Sequence, residues 1–86
     1  MKVLRVAVDP PNIGAVAAAN VDVAEDDVHR GHVCVAIPPD TLEAGLVCQS
    51  CNVVADGSLR FRISNASAGA IDGAARDWTV LVFDES

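Results

Sequence analysis

The most constraining feature of this sequence is a short stretch of strict alternation that follows a turn dipeptide. Apolar and basic residues alternate across 59–63 (LRFRI), which is the two-residue period of a β-strand with one buried and one solvated face. Asp56-Gly57 precedes this stretch, and Asp-Gly between apolar runs is a strong signal for a hairpin with a type I′ turn. We therefore expect antiparallel strands at about 51–55 and 58–64.

Weaker alternation recurs along the rest of the chain, at 3–8, 20–23 and 33–37. Each of these runs is typical of a half-buried strand. The last run, 78–83 (WTVLVF), is apolar on both faces, which indicates either a central strand or a strand covered by something outside the domain. Turn-forming residues separate the runs at intervals close to those of sandwiches and barrels, and they lie at 9–12, 29–32, 38–40 and 72–73.

These patterns predict an all-β fold, namely a small antiparallel β-sandwich or barrel of about seven strands with little or no helix. One short helical turn is expected within 40–46. We expect a single β domain over 1–86, in which 1–11 forms an N-terminal arm or an edge strand.

The apolar residues that must fill this fold are small. The 86 residues include 14 Val and 14 Ala but only one Trp, two Phe and no Tyr. A chain of this length buries only about 60–65% of its unfolded surface, and small domains usually need a staple or a partner subunit. We therefore expect oligomerisation or docking onto a larger object.

The charge balance removes several classes of partner. Twelve acidic and six basic residues give a formal net charge of −6 and a pI near 4.5, which opposes the electrostatic attraction on which nucleic-acid binding depends. No apolar stretch has the length of a signal peptide or a membrane span. We expect no nucleic-acid partner and no membrane partner.

The cysteines and histidines leave alternatives open. Cys48 and Cys51 have the spacing of a redox pair or of half a zinc site, and with His29 and His32 they would supply four zinc ligands. The strand-like flanks do not suit a thioredoxin-like motif, which needs a helix N-terminus. The simpler interpretation is that Cys34, Cys48 and Cys51 are reduced thiols that pack as small hydrophobic side chains.

Other motifs do not favour catalysis. No serine has the surroundings of a nucleophile elbow, and two histidines on one turn do not make a triad. Asn65-Ala66-Ser67 matches the glycosylation sequon by its letters, but we interpret it as a turn capped by the Asn65 side chain. We expect no enzyme activity and no cofactor.

Several segments together resemble a known group of proteins. An Ala-rich entry leads into a Val-alternating strand, a Gly-containing turn leads into an apolar strand, and Asn65 to Asp72 precedes the closing strand. With these segments the chain from Asn12 to Phe83 resembles the small β-sandwich cement or decoration proteins of tailed bacteriophage capsids. The segments that carry the resemblance are 17–23, 31–37, 42–47, 53–62, 65–72 and 78–82.

The resemblance implies a virion structural protein, made in the host cytoplasm and placed on the capsid exterior. Such a protein binds the major capsid protein and stabilises the lattice, often as a trimer at local threefold positions. Trp78 and Phe83 are the expected interface anchors, because aromatic side chains dominate interface energetics, and Val3 and Arg5 of the N-terminal segment are further candidates. The alternatives are core positions for both aromatic residues, a tail- or head-fibre binding module, and a small zinc- or thiol-stabilised domain.

Overall fold

A computed structural model describes residues 1–84, and within this range the chain forms eight β-strands and no helix. The all-β prediction is confirmed. The number of strands is one above the expected seven, and two of the eight strands are very short, with two residues each. The strands are β1 (Lys2–Val8), β2 (Asn12–Ile13), β3 (Ala18–Ala24), β4 (His32–Ile37), β5 (Leu46–Ala55), β6 (Ser58–Asn65), β7 (Ile71–Asp72) and β8 (Arg76–Asp84). With no helix among the described residues, none is long and apolar enough to cross a membrane.

The strands form two antiparallel three-stranded sheets and one short ribbon. The first sheet has the order β1-β8-β4, the second has the order β3-β6-β5, and β2 pairs with β7 in the ribbon. The sheets lie face to face as a sandwich, with β4 against β5 at one side and β1 against β3 at the other. β8 is therefore the central strand of the first sheet. A central strand was one of the two alternatives that the sequence offered for this run, which is apolar on both faces. β1 is an edge strand of the same sheet.

The core lies between the central strands of the two sheets. Phe61 of β6 and Trp78 of β8 are both fully buried, and their rings meet edge to face with centroids 5.5 Å apart. Edge-to-face contact is a favoured aromatic geometry and adds about 0.5–1.5 kcal/mol beyond area burial. The core residues around this pair are mostly aliphatic, namely Val6, Val8, Ile13, Val28, Leu46, Leu59, Ile63, Val80 and Val82.

The predicted hairpin is present as β5 and β6, but its turn differs from the expectation. Gly57 has a φ of +80°, whereas the φ of Asp56 is negative. A type I′ turn requires positive φ at both central residues, so the type I′ prediction is wrong. Contacts from the 25–30 loop hold the hairpin tip in place: the Arg30 amide donates to Asp56 Oδ1 at 2.8 Å, and the Gly57 amide donates to the Val28 carbonyl at 2.8 Å.

The predicted helical turn at 40–46 is also absent, because this segment forms hydrogen-bonded turns between β4 and β5. Its side chains bind the start of β8 instead. Glu43 Oε2 accepts hydrogen bonds from the Ala74 amide at 3.0 Å and from the Arg76 guanidinium at 3.4 Å. The hydrogen bond from the Ala74 amide is the main cause that lowers the pKa of Glu43, and the backbone amide of Glu43 itself and then the Arg76 guanidinium lower it further.

Candidate interaction face

The outer surface of the first sheet is apolar. Six outward-pointing side chains of β1, β8 and β4 form a patch that we call the apolar face. Five of them are between 40% (Phe83) and 59% (Val3) exposed, and the sixth, Leu81, is half-buried between its neighbours. The apolar face consists of Val3, Val33, Val35, Ile37, Leu81 and Phe83.

The strand register makes this patch continuous. On β8, Leu81 lies opposite Val3 of β1 and also opposite Val35 of β4. Phe83 lies opposite Val33 in the same sheet. Cross-strand neighbours on one face have Cβ atoms about 4.5–5.5 Å apart, so the apolar side chains adjoin one another across three strands. A contiguous exposed apolar patch marks an interaction site more often than scattered apolar residues do.

The outer surface of the second sheet is different in character. Arg60 of β6 donates two hydrogen bonds to the carboxylate of Asp22 on β3, at 2.7 and 3.1 Å. Arg62 donates to Asn20 Oδ1 at 3.0 Å in the next outward row. The hydrogen bond from Arg60 and its positive charge lower the pKa of Asp22. The β3 and β6 rows of this surface are therefore polar and internally paired, as expected of a face that stays in water.

Three of the four residues expected at an interface lie on the outer surface of the first sheet, and one does not. Val3 and Phe83 belong to the apolar face, and Arg5 is exposed beside it in the same row as Thr79. Trp78 has no exposed surface and packs on Phe61. The expectation of Trp78 as an interface anchor is therefore replaced by the core alternative, because successive strand residues point to opposite faces and Trp78 points inward.

The apolar face also contains residues that the sequence analysis did not single out. Val33, Val35 and Ile37 point outward from β4, while Cys34 and Ala36 point inward. The sequence did contain a pattern that indicates these residues. Every residue of 33–37 is apolar, and all but one residue of 78–83 are apolar as well. A strand that is apolar on both faces and lies at a sheet edge exposes one of those faces, unless something outside the domain covers it.

The predicted zinc ligands do not form a site. Within residues 1–84 no group of three or more His, Cys, Asp or Glu side chains is placed to hold a metal ion. The zinc alternative with His29, His32, Cys48 and Cys51 is therefore not supported. The two histidines belong to one turn, in which the His29 amide donates to His32 Nδ1 at 3.2 Å and the rings lie 5.5 Å apart.

The three cysteines are free and line one shallow cleft between β4 and β5. Cys34 is buried, and Cys48 and Cys51 are half-buried. Burial raises the pKa of all three thiols, so they are protonated at neutral pH and unreactive compared with an exposed thiol. Cys51 Sγ lies 2.8 Å from Cys34 Sγ, on the opposite sheet.

The turn expected at Asn65 is present, with a larger role for its side chain. Asn65 is 1% exposed. Its amide nitrogen donates to the carbonyls of Ile13 at 3.0 Å and Gly69 at 2.8 Å, and its oxygen accepts from the Ser67 amide at 2.9 Å. The amide nitrogen, the atom that glycosylation would modify, is therefore buried and fully used in hydrogen bonds.

Comparison with protein-family models, with curated proteins and with solved structures gives no match for this chain.

Proposed function

We propose that this protein is a structural binding subunit of a tailed-bacteriophage virion, and specifically a capsid cement protein. In this proposal the apolar face binds the outer surface of the major capsid protein lattice. The subunit acts by binding and not by catalysis. It is made in the host cytoplasm and occupies the capsid exterior as a trimer.

The observation that carries the proposal is the difference between the two outer sheet surfaces. One surface has Arg60 paired with Asp22, and the other has aliphatic side chains and a phenylalanine in adjoining rows. Each aliphatic side chain that a partner covers contributes about 25 cal/mol per Å² of apolar area removed from water. Several copies bound to one lattice add their contributions through multivalency, so no single contact has to be strong.

Charge on this sheet surface favours a different protein as the partner over a second copy. Arg5 is exposed in the row of Thr79 and Ile37, and the acidic group on the same surface, Asp77, lies at one end opposite Ala7. Packing two copies face to face would bury two guanidinium groups with few carboxylates to receive them, which is costly. A partner surface with a carboxylate or carbonyl oxygens opposite Arg5 avoids that cost.

Two substitutions with matched exposure test the role of the apolar face. Val35 of β4 is 48% exposed on the apolar face, and Val47 of β5 is 49% exposed on the second sheet. We expect Val35→Asp to weaken binding to particles stripped of the subunit by at least about tenfold, since an interface must then bury an unpaired charge. Val47→Asp should bind like the wild type in the same co-sedimentation assay. Equal binding by the two variants contradicts the proposal.

Composition of the particle tests the biological setting. Quantitative mass spectrometry of particles from a phage that encodes this chain should find hundreds of copies in each particle. A few copies to a few tens would indicate the fibre-module alternative, and absence from the particle would exclude both virion roles. Light scattering should find the isolated protein as a trimer, and Val35→Asp should leave that trimer intact. A trimer that Val35→Asp dissociates would assign the apolar face to a contact between copies.

A further inference from the structure

Cys34 and Cys51 come together although they are 17 residues apart in sequence and belong to different sheets. Cys34 points inward from β4, and Cys51 points inward from β5, with 2.8 Å between their sulfur atoms. Both strands lie at sheet edges, and β4 packs against β5 at that side of the sandwich. A bond between these sulfur atoms would join the two sheets covalently.

An irregularity in β5 creates this contact. Residues three apart on a regular strand point to opposite faces, yet Cys48 and Cys51 pair with Ile63 and Phe61, which are both core residues. The register shifts between Cys48 and Ser50, and the extra residue returns Cys51 to the inner face. A β-bulge has this effect on side-chain direction.

The same irregularity disfavours a bond between Cys48 and Cys51. Their cross-strand partners, Ile63 and Phe61, are two residues apart, which is about 6.6–6.8 Å along a strand. A disulfide usually needs Cα atoms about 4.4–6.8 Å apart. The spacing between Cys48 and Cys51 along β5 is therefore at the upper limit of that range. The sulfur atom in hydrogen-bond contact with Cys51 Sγ is that of Cys34, at 2.8 Å.

We propose that Cys34 and Cys51 are a specific disulfide-forming pair that cross-links the two sheets when the protein meets a small-molecule disulfide such as oxidised glutathione. One protein thiolate attacks a glutathione sulfur, which forms a mixed disulfide and releases one glutathione thiolate with the bonding electron pair. The second protein thiolate attacks the protein sulfur of the mixed disulfide and releases the second glutathione. Two protein thiols lose two electrons, oxidised glutathione gains them, and the two thiol protons go to the released thiolates.

The environment of the pair sets the rate of this reaction. Burial raises the pKa of both thiols, so the attacking thiolate is scarce at neutral pH and its concentration rises with pH. The scarcity of thiolate makes the oxidation slow, whereas the reducing poise of a cytoplasm disfavours the disulfide there. For a subunit that leaves the cell on a particle, the cross-link would form after release. That last consequence rests on the proposed function, whereas the reactivity of the pair does not.

Incubation of the purified protein with oxidised glutathione at pH 8.5 tests the pair directly. The intact mass of the protein should fall by the mass of two hydrogen atoms. Non-reducing gels should show no disulfide-linked dimer or larger species. Trypsin would leave all three cysteines in one peptide, since no Lys or Arg lies between Arg30 and Arg60. Cleavage after Glu43 separates Cys34 from the other two cysteines, and the peptide on each side should remain joined until a reductant is added.

Single substitutions identify the partner. Cys48→Ala should oxidise like the wild type, whereas Cys34→Ala and Cys51→Ala should not lose two hydrogens. The oxidised wild type should melt on the order of 10 °C above its reduced form, because the cross-link closes a loop of intermediate length in the unfolded chain. The wild-type peptide map decides the pairing even where a variant folds poorly. A Cys48–Cys51 link, intermolecular disulfides, or a persistent glutathione adduct would overturn the proposal, and none of these outcomes bears on particle binding.

Discussion

Replacing Asn65 with Ala should destabilise this protein more than any surface substitution. Asn65 ends β6 and is almost fully buried, and its side chain connects three segments of backbone. The amide nitrogen donates to Ile13 in β2 and to Gly69 in the loop before β7, and the oxygen accepts from Ser67. Alanine at this position removes these bonds and the one from Ser67 Oγ to Asn65 Oδ1 at 2.7 Å, while the Gly69 carbonyl still accepts from Ser67 Oγ.

The expected loss follows from the burial of those groups. The hydrogen bond to the Ile13 carbonyl is buried, and an unsatisfied buried acceptor costs about 1–3 kcal/mol. The bonds at Gly69 and Ser67 are part-buried, so water can replace Asn65 there and each loss costs about 1 kcal/mol. The sum is about 3–5 kcal/mol, which is a large fraction of the roughly 5–15 kcal/mol by which native domains are stable.

Urea unfolding followed by the fluorescence of Trp78, the one tryptophan of the chain, measures this loss. Trp78 is fully buried against Phe61, so its emission reports the opening of the core. Asn12→Ala is the matched control, because Asn12 is exposed on the same ribbon as Ile13, and it should change stability by less than about 0.5 kcal/mol. Asn65→Asp keeps the acceptor for Ser67 but removes both N–H donors, and it should also be strongly destabilised. A loss below about 1 kcal/mol in Asn65→Ala would refute the reasoning.

Two other positions give predictions of the same kind. Gly45 has a φ of +99°, and a Cβ there would lie 3.0 Å from Ile71 Cδ1 and 3.2 Å from Ser67 Cβ; Gly45→Ala should cost about 2–3 kcal/mol in thermal or urea unfolding. Gly14→Ala has open space around its new methyl group and should be within about 0.5 kcal/mol of the wild type, so equal effects of the two changes would contradict this account. The pKa of Glu43 is lowered in the folded protein, mainly by the hydrogen bond from the Ala74 amide. The contribution of Glu43 to the free energy of unfolding is therefore complete above the unfolded pKa of about 4.3, and it is lost as the pH falls through the lower pKa of the folded state. The Tm of Glu43→Gln should start lower at pH 7 and fall less than the wild-type Tm on acidification to about pH 3; parallel Tm curves for the two proteins would show that Glu43 is not a source of the acid sensitivity.

The strands were largely predictable because their pattern is local. The alternation at 59–63 placed β6, and a central strand was one of two alternatives for the apolar run at 78–83, which forms β8 in the middle of its sheet. The same period also shows why only one of the two expected aromatic anchors is exposed. Trp78 and Phe83 are five residues apart, an odd number, so a strand directs them to opposite faces. Periodicity shows that one of the two points outward, and the structure shows that it is Phe83, because Trp78 packs on Phe61 in the core.

Other features depend on contacts that a linear pattern does not encode. β2 and β7 have two residues each, too few to show a period, and the side chain of Asn65 holds the backbone at Ile13 in β2 and at Gly69 before β7. The contact between Cys34 and Cys51 requires both the irregularity at Cys48 to Ser50 and the packing of β4 on β5. The spacing of Cys48 and Cys51 left a redox pair between them as one alternative. It gave no indication of Cys34, since spacing carries no information about the opposite sheet.

The position of β8 between β1 and β4 makes the two sheets unequal in what they need in order to form. β3, β5 and β6 all lie within 18–65, so the pairing of the second sheet does not require residues 76–84. β1 and β4 do not pair with each other, and each pairs with β8. Without β8, two Val-rich strands would have open edges, which is the condition under which chains associate wrongly. The first sheet therefore depends on the insertion of one strand between two others.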